Sequence, residues 1–212
     1  MTIDDKNLLN SILESLKNLN YIKPEDIPNI DLYMDQVTTF MDTQLASTKR
    51  HPEDKILTKT MINNYTKNNL LPPPEKKKYT KEHLLTLIFI YYFKGIMSIS
   101  DIQSILNPIT NKYFSSKDGM DLTAIYNEVF GLEYDASKIL TKDIIRKYIT
   151  SRQTFENADE SDRDKLQLFS FLCMLSFDVY LKRMIIEQII DTKLSRQPSD
   201  SVKKGAKENK KK

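Results

Sequence analysis

Apolar side chains recur every three or four residues along most of this chain, the spacing that places them on one face of an α-helix. Residues 7–19 and 31–45 each predict an amphipathic helix, and a short turn bracketed by Pro24 and Pro28 lies between them. The same spacing predicts two further helices over residues 121–130 and 135–148. The pattern as a whole predicts an all-α protein.

Residues 56–106 contain three more predicted helices, of which the first runs from residue 58 to 68. Thr58 is a favourable N-cap, and Asn69 can adopt the left-handed conformation that ends a helix. Prolines 72–74 then prevent the helix from continuing. Its inward face is predicted to consist of three apolar side chains, Met61, Ile62 and Tyr65.

The second of these helices is predicted to begin at Thr80 and to end at Gly95. It is apolar on almost every side between residues 84 and 93, which indicates that it is buried. The third begins at residues 100–101, and Pro108 is predicted to break it.

The longest predicted helix covers residues 164–191. Its first half is apolar on nearly every side, which predicts a position in the centre of a bundle or at a subunit interface. It lacks a sustained heptad with flanking charges, so we do not predict a long coiled coil. Four side chains could form either plain core or a pocket for an apolar ligand, namely Phe169, Phe171, Met174 and Phe177.

Composition narrows the class of protein. The 212 residues are 40% hydrophobic and 29% charged, as in soluble globular proteins. The single Cys173 excludes an intrachain disulfide and suits a reducing compartment. The longest apolar run is too short to cross a bilayer, and Asp4 and Asp5 occupy the place where a secretory signal would be basic. A cytoplasmic location is therefore predicted.

Positive charge is concentrated in two segments. Residues 47–83 hold 9 basic and 4 acidic side chains, a net charge of +5, and residues 196–212 hold 7 and 2, also a net +5. Residues 1–46, by contrast, hold 3 basic and 8 acidic side chains, a net −5. Because phosphate binding depends on local positive charge, this distribution permits contact with nucleic acid.

The sequence offers little for catalysis. The two histidines, His51 and His83, lie near no recognisable nucleophile motif, and the four glycines form no phosphate-binding loop. The acidic residues between 157 and 164 have two interpretations, helix capping or a metal site, and the lack of a nearby histidine or cysteine favours capping. We therefore predict neither an enzyme nor a metal or cofactor site.

The order of features from residue 58 to 106 resembles the DNA-binding domain of the MerR-type winged helix-turn-helix family. The specific part is Leu70-Leu71-Pro72-Pro73 followed by Tyr79-Thr80-x-Glu82. The chain resembles more closely an uncharacterised group of Firmicute proteins that carry a MerR-like domain, which implies a bacterial source. The resemblance implies a helix-turn-helix domain over residues 31–107 with a minimal or absent β wing, in which Tyr79 packs against the core.

The remaining segments are predicted to be an N-terminal helix in residues 1–30, a C-terminal helical bundle in residues 108–194, and a disordered basic tail in residues 195–212.

The resemblance implies that helix 58–68 enters the major groove of double-stranded DNA. Its outward side chains are of the types that bond base edges, although an ordinary solvated helix face would look the same; they are Lys59, Thr60, Asn63, Asn64 and Lys67. Phosphate contacts are predicted for Lys76, Lys77, Lys78 and Lys81. Lys49 and Arg50 belong to either a solvated loop or a further phosphate clamp.

The function implied is that of a sequence-specific transcriptional regulator. The resemblance also implies a homodimer formed through the C-terminal helices, and it leaves a small-molecule effector possible. The alternative is a non-enzymatic protein-interaction module built on a degenerate winged-helix scaffold. The long connection over residues 46–57 and the short wing at residues 75–78 favour that alternative, as does Asn63-Asn64 in place of a cationic pair.

Overall fold

The computed structural model describes residues 5–17, 21–116 and 119–194. Eight α-helices occupy most of these ranges, which confirms the predicted all-α class. The predicted basic tail lies outside the described residues. The helices are α1 (Asp5–Lys17), α2 (Met34–Gln44), α3 (Lys59–Lys67), α4 (Lys81–Phe93), α5 (Ile99–Tyr113), α6 (Leu122–Gly131), α7 (Glu133–Ser151) and α8 (Glu160–Ile189).

Short elements complete the described part of the chain. Strands β1 (Leu32–Tyr33) and β2 (Lys78–Tyr79) pair in antiparallel fashion, with Leu32 opposite Tyr79. One-turn 3₁₀ helices cover Pro24–Asp26 and Ala46–Thr48, and a π-helical turn over Ile190–Leu194 follows α8. The helix predicted over residues 31–45 therefore begins three residues late, because its first residues pair as a strand.

Helix α4 lies at the centre of the core. All eight residues from His83 to Ile90 are buried, and the helix contacts α5, α6 and β2. Because burial of one large aliphatic or aromatic side chain contributes about 1.5–3 kcal/mol, this helix is a major source of stability. The predicted burial is confirmed.

One cluster of buried side chains extends from Ile22 to Phe130. Tyr126 on α6 donates a 2.6 Å hydrogen bond to the backbone oxygen of Ile22, and its ring stacks on Phe130 with centroids 4.2 Å apart. Residues before β1 and after α5 thus share one core. The predicted domain boundaries at residues 30 and 107 both fall within it.

The boundaries of α3 follow the local signals in the sequence. The Thr58 hydroxyl accepts a 3.2 Å hydrogen bond from the Met61 amide, and Asn69 ends the segment with φ of +54°. Ile62 and Tyr65 are buried as predicted, but Met61 is 37% exposed. Met61 therefore lies at the edge of the inward face.

Helix α5 continues through Pro108, so the predicted break is wrong. Proline removes only one backbone N–H, and side chains on both sides of it anchor the helix, because Leu106 and Thr110 are both buried. The start was also misplaced by two residues: the Ser98 hydroxyl, not Ser100, accepts the cap bond from the Asp101 amide at 3.2 Å.

Helices α7 and α8 pack against each other beyond the main core. The Tyr148 and Phe171 rings meet edge to face with centroids 5.5 Å apart. The Gln167 side-chain amide donates 2.9 Å bonds to the backbone oxygens of Arg152 and Thr154, which fixes the connection between the two helices. Lys147 of α7 forms ion pairs with carboxylates on both helices, Asp143 and Asp178.

Most of α8 is exposed to solvent. Its buried residues are Gln167 and Phe171, whereas Phe169 and Phe177 are 61% and 65% exposed. The predicted position in the centre of a bundle is therefore wrong. Both interpretations of the aromatic cluster, core and ligand pocket, fail for Phe169 and Phe177, because their side chains face solvent.

None of the helices in the described part of the chain has the length and hydrophobicity needed to cross a membrane.

The position of Pro108 within α5 allows a stability test. Pro108 is exposed and leaves the carbonyl one turn earlier without its helical N–H partner. We expect Pro108→Ala to raise the free energy of unfolding by about 1–3 kcal/mol in urea denaturation. The matched control is Asn111→Ala at another exposed position of α5, with an expected change below about 1 kcal/mol. A destabilised Pro108→Ala variant would contradict this account of the helix.

Candidate nucleic-acid interface

Helix α3 presents a polar face to solvent. Ile62 and Tyr65 hold the opposite face against the core, which fixes the rotation of the helix about its axis. The outward residues include both asparagines predicted to read bases. All five predicted base contacts are exposed, namely Lys59, Thr60, Asn63, Asn64 and Lys67.

A tight turn over residues 75–78, here called the lysine turn, precedes β2. The Lys78 amide donates a 2.9 Å bond to the Glu75 carbonyl oxygen, and Lys76 and Lys77 have φ of +49° and +63°. Positive φ at both central residues is the geometry of a type I′ turn. The wing predicted as minimal is thus a two-residue turn, with Lys76 and Lys77 exposed at its tip.

The other two predicted phosphate contacts near this turn are less exposed. Lys78 lies in β2 with its Nζ 5.6 Å from the centroid of the Tyr33 ring. Lys81 is the first residue of α4 and is half-buried. Tyr79, between them, is buried as predicted.

The start of α3 and the lysine turn are anchored on the same short segment. Lys59 forms an ion pair with Asp35, and Lys78 lies over the ring of Tyr33. Residues two apart in a chain are at most about 7 Å from each other. Both lysines are therefore anchored at the junction of β1 and α2.

A groove between α2 and α3 adds polar groups that the sequence analysis missed. Its lining includes the amine-bearing Lys55 beside Lys59, so the basic surface extends along the start of α3. Lys55 belongs to the basic segment 47–83, and this concentration of positive charge is the signal in the sequence that could have identified it. The groove is lined by Thr38, Thr39, Asp42, Lys55, Leu57, Thr58 and Lys59.

Lys49 is not available as a phosphate contact, which corrects the prediction. Its Nζ lies 2.8 Å from Asp42 Oδ2, and its side chain is only 13% exposed. This hydrogen bond holds the pKa of the Asp42 carboxyl below its usual range. The alternative prediction, a solvated loop, does not fit Lys49 either, because its side chain is largely buried. Its neighbour Arg50 is exposed.

The long connection before α3 is held firmly against the core. The Thr48 hydroxyl is hydrogen-bonded to the Tyr91 hydroxyl of α4. Lys94 donates a 2.6 Å bond to the Ile56 backbone oxygen, and burial lowers the pKa of this lysine. The connection therefore positions α3 although it has little regular structure of its own.

His83 packs against Tyr79 of β2, the strand that the lysine turn leads into. Its Nδ1 accepts a 3.0 Å hydrogen bond from the Thr80 amide at the start of α4. The ring meets Tyr79 and Phe114 edge to face, with centroids 5.4 and 4.7 Å away. Burial lowers the pKa of His83, although the carbonyls of Pro73 and Pro72 act in the opposite direction. The neutral ring is therefore the form that fits this site.

Within the described residues, no group of three or more histidine, cysteine, aspartate or glutamate side chains is arranged to hold a metal ion.

Comparison with known proteins identifies one family. The profile of a family described as a domain of unknown function, DUF1836, matches residues 22–129, slightly more than half of the chain. This match covers nearly the same residues as the buried cluster and contains α3 and the lysine turn. No curated protein and no solved structure shows significant similarity to the chain.

His83 makes the stability of the fold depend on pH. In the unfolded chain a histidine has a pKa of about 6.5, whereas burial lowers the value in the folded state. The unfolded state therefore binds more protons as the pH falls below about 6.5, and the free energy of unfolding decreases there by up to about 1.4 kcal/mol per pH unit.

The variant His83→Gln keeps an acceptor for the Thr80 amide and cannot titrate in this range. We expect urea denaturation between pH 7.5 and 5 to show a smaller pH dependence for this variant, with His51→Gln on the exposed connection as the control. An unchanged slope for His83→Gln would show that another group is responsible.

Proposed function

The chain belongs to the DUF1836 family, and we propose that it is a sequence-specific transcriptional regulator that binds double-stranded DNA in the cytoplasm. The observation that carries this proposal is that the α3 start and the lysine turn are both anchored on residues 33–35, through Lys59 on Asp35 and Lys78 over Tyr33. In this proposal α2 and α3 form a MerR-like helix-turn-helix, and the lysine turn takes the place of the wing.

The dimensions and chemistry of α3 suit the major groove. An α-helix with its side chains is about 10–12 Å in diameter, and the groove is about 12 Å wide. Asn63 and Asn64 carry amides that can bond bidentately to adenine, and the Thr60 methyl can contact thymine. Lys67 reaches guanine or phosphate from the last turn of the helix.

The lysine turn supplies phosphate contacts that do not depend on sequence. Lys76 and Lys77 are exposed at the tip of a two-residue turn. Because both side chains are already in solvent, binding to phosphate requires little rearrangement of the protein. The ion pair between Lys59 and Asp35 is exposed, and exposed pairs contribute only about 0–1 kcal/mol. Lys59 can therefore exchange this carboxylate for a phosphate, and Arg50 extends the basic surface.

A protein-interaction module without a nucleic-acid role is the second candidate. Two observations favour it: Asp35 neutralises Lys59 at the start of α3, and α8 exposes a large apolar surface. Binding to DNA at low salt distinguishes the two candidates, because the interaction module has no reason to bind a duplex.

Neutralising the lysine turn should weaken binding to every duplex. We expect Lys76→Gln/Lys77→Gln to reduce the slope of log K against log salt concentration by about 1.8, since each phosphate contact contributes about 0.9. Fluorescence anisotropy with a labelled random duplex at several salt concentrations measures this slope. The control Lys142→Gln/Lys165→Gln removes two exposed lysines from α7 and α8. A salt slope equal to the wild type would remove the turn from the interface.

Removing the amides of α3 should affect sequence preference instead. We expect Asn63→Ala/Asn64→Ala to lower the affinity for a duplex selected by the wild-type protein by about 1–3 kcal/mol per lost bidentate contact. The affinity for random duplex should stay nearly constant. Alanine is the stronger helix former, so α3 itself is preserved.

The control for this experiment is Asn111→Ala on α5. If the double variant retained the wild-type ratio of selected to random affinity, α3 would not be the helix that reads the bases.

A further inference from the structure

Helix α8 exposes an apolar face to solvent. Its five side chains are between 45% and 65% exposed, and the last four follow the first by 3, 8, 11 and 15 residues, the spacing of one side of a helix. The set, here called the apolar face of α8, consists of Phe169, Leu172, Phe177, Tyr180 and Met184. Large exposed apolar patches mark sites of contact with proteins or with membranes.

Helix α7 and its connection to α8 cover the other side of the helix. The residues directed toward them are the buried Gln167 and Phe171 and the ion-paired Asp178. At about 100° per residue, these three lie on the side of α8 opposite Phe169 and Tyr180. The apolar face of α8 is therefore open within the described part of the chain.

Almost no charge interrupts this part of the helix. Among residues 166–181 only Asp178 is charged, and it is paired with Lys147 of α7. This stretch is about 24 Å long, and it is bounded by charged residues at both ends, namely Asp164, Lys165, Lys182 and Arg183. Because the hydrocarbon core of a bilayer is about 30 Å thick, such a face is suited to lying along a membrane surface and not to crossing the membrane.

The segment that follows α8 is strongly basic. Residues 196–212 hold 7 basic and 2 acidic side chains, a net charge of +5. Each lysine or arginine close to an anionic lipid surface adds to the attraction. Binding of an interfacial helix becomes stronger with the apolar area that it buries and with its electrostatic attraction to anionic lipids. The chain carries both features next to each other in the sequence.

We propose that the apolar face of α8 docks on an anionic lipid surface, to which residues 196–212 are attracted by their positive charge. An anionic bilayer offers an apolar interior beneath negative headgroups, so it complements both features at once. Tyr180 suits the boundary between the two, because its ring is apolar and its hydroxyl is polar. A second copy of this chain would match the apolar face but would bring the same positive charge.

Co-sedimentation of the full chain with lipid vesicles, in the absence of DNA, tests the proposal. Phosphatidylcholine vesicles with about 30% phosphatidylglycerol carry negative charge, whereas pure phosphatidylcholine vesicles are neutral. We expect the wild type to bind the anionic vesicles at least about tenfold more tightly than the neutral ones.

Removing two rings from the apolar face should weaken this binding. We expect Phe169→Ala/Phe177→Ala to lower the affinity for anionic vesicles by about tenfold or more, and alanine preserves the helix. The matched control, Ile30→Ala/Met120→Ala, removes two similarly exposed apolar side chains outside α8 and should bind like the wild type.

Reducing the charge of the basic segment should have an effect of similar size. We expect Lys203→Gln/Lys204→Gln to lower the affinity for anionic vesicles by about tenfold and to leave the affinity for neutral vesicles unchanged. The control Lys23→Gln/Lys55→Gln removes the same charge from exposed positions outside α8 and should have a smaller effect.

A tryptophan reporter shows whether the apolar face itself enters the lipid. The chain contains no tryptophan, so one substitution gives a single emitting residue. We expect the emission of Phe177→Trp to shift to shorter wavelength on addition of anionic vesicles, because the indole leaves water. The emission of Met120→Trp, at an exposed position before α6, should not shift.

The remaining outcomes overturn the proposal. A wild type that is folded by circular dichroism and does not co-sediment with anionic vesicles would exclude lipid as the occupant. Sedimentation equilibrium would then assign the face to a second copy if the mass were twice 24.8 kDa, and to another protein if it were 24.8 kDa.

Two further results would show that the apolar face of α8 is not the contact. One is an equal loss of binding in the phenylalanine variant and its control, and the other is an unshifted Phe177→Trp emission. Because no DNA is present, these results do not depend on the proposed function. A chain that binds vesicles and no duplex would count against that function alone.

Discussion

Burial of α4 on every side is the constraint on which the rest of the fold depends. A helix with eight consecutive buried residues needs neighbours all around it, and the elements between Ile22 and Phe130 provide them. The same constraint positions the lysine turn. Strand β2 leads directly into α4, and Tyr79 of that strand is itself buried. Two lysines can therefore hold positive φ angles at the tip, because the buried residues on one side of the turn oppose its relaxation.

Local signals explain why much of this region could be predicted from the sequence. The Thr58 cap and the left-handed Asn69 act within one turn of the helix that they bound. Burial of α4 follows from its composition alone. Features that depend on distant residues were missed: β1 pairs with a strand 45 residues later, and Lys49 is buried by an ion pair with a carboxylate seven residues earlier on α2. Neither partner can be identified from spacing.

The exposure of α8 was missed for a different reason. An apolar sequence predicts burial, but whether a helix is covered depends on the length of its neighbours. Helix α8 has 30 residues and is about 45 Å long, whereas α7 has 19 residues and is about 28 Å long. Helix α7 is therefore too short to cover α8 along its whole length. A single neighbouring helix can also cover only one side of α8. Of the two positions that the apolar pattern predicted, the centre of a bundle is wrong, and a subunit interface stays a prediction.

The proposed DNA-binding surface and the exposed apolar surface of α8 also separate along the sequence. The family match ends at residue 129 and the buried cluster at Phe130, so α7 and α8 follow both. Base contacts and phosphate contacts would thus belong to the part that this chain has in common with its family, whereas the exposed apolar surface of α8 belongs to a helical extension of it. In such an arrangement the two surfaces would bind through different physical interactions. Lysine contacts to phosphate depend on salt, whereas an apolar contact made by α8 would depend on buried area. A rise in ionic strength would then release the duplex and leave apolar contacts at α8 intact.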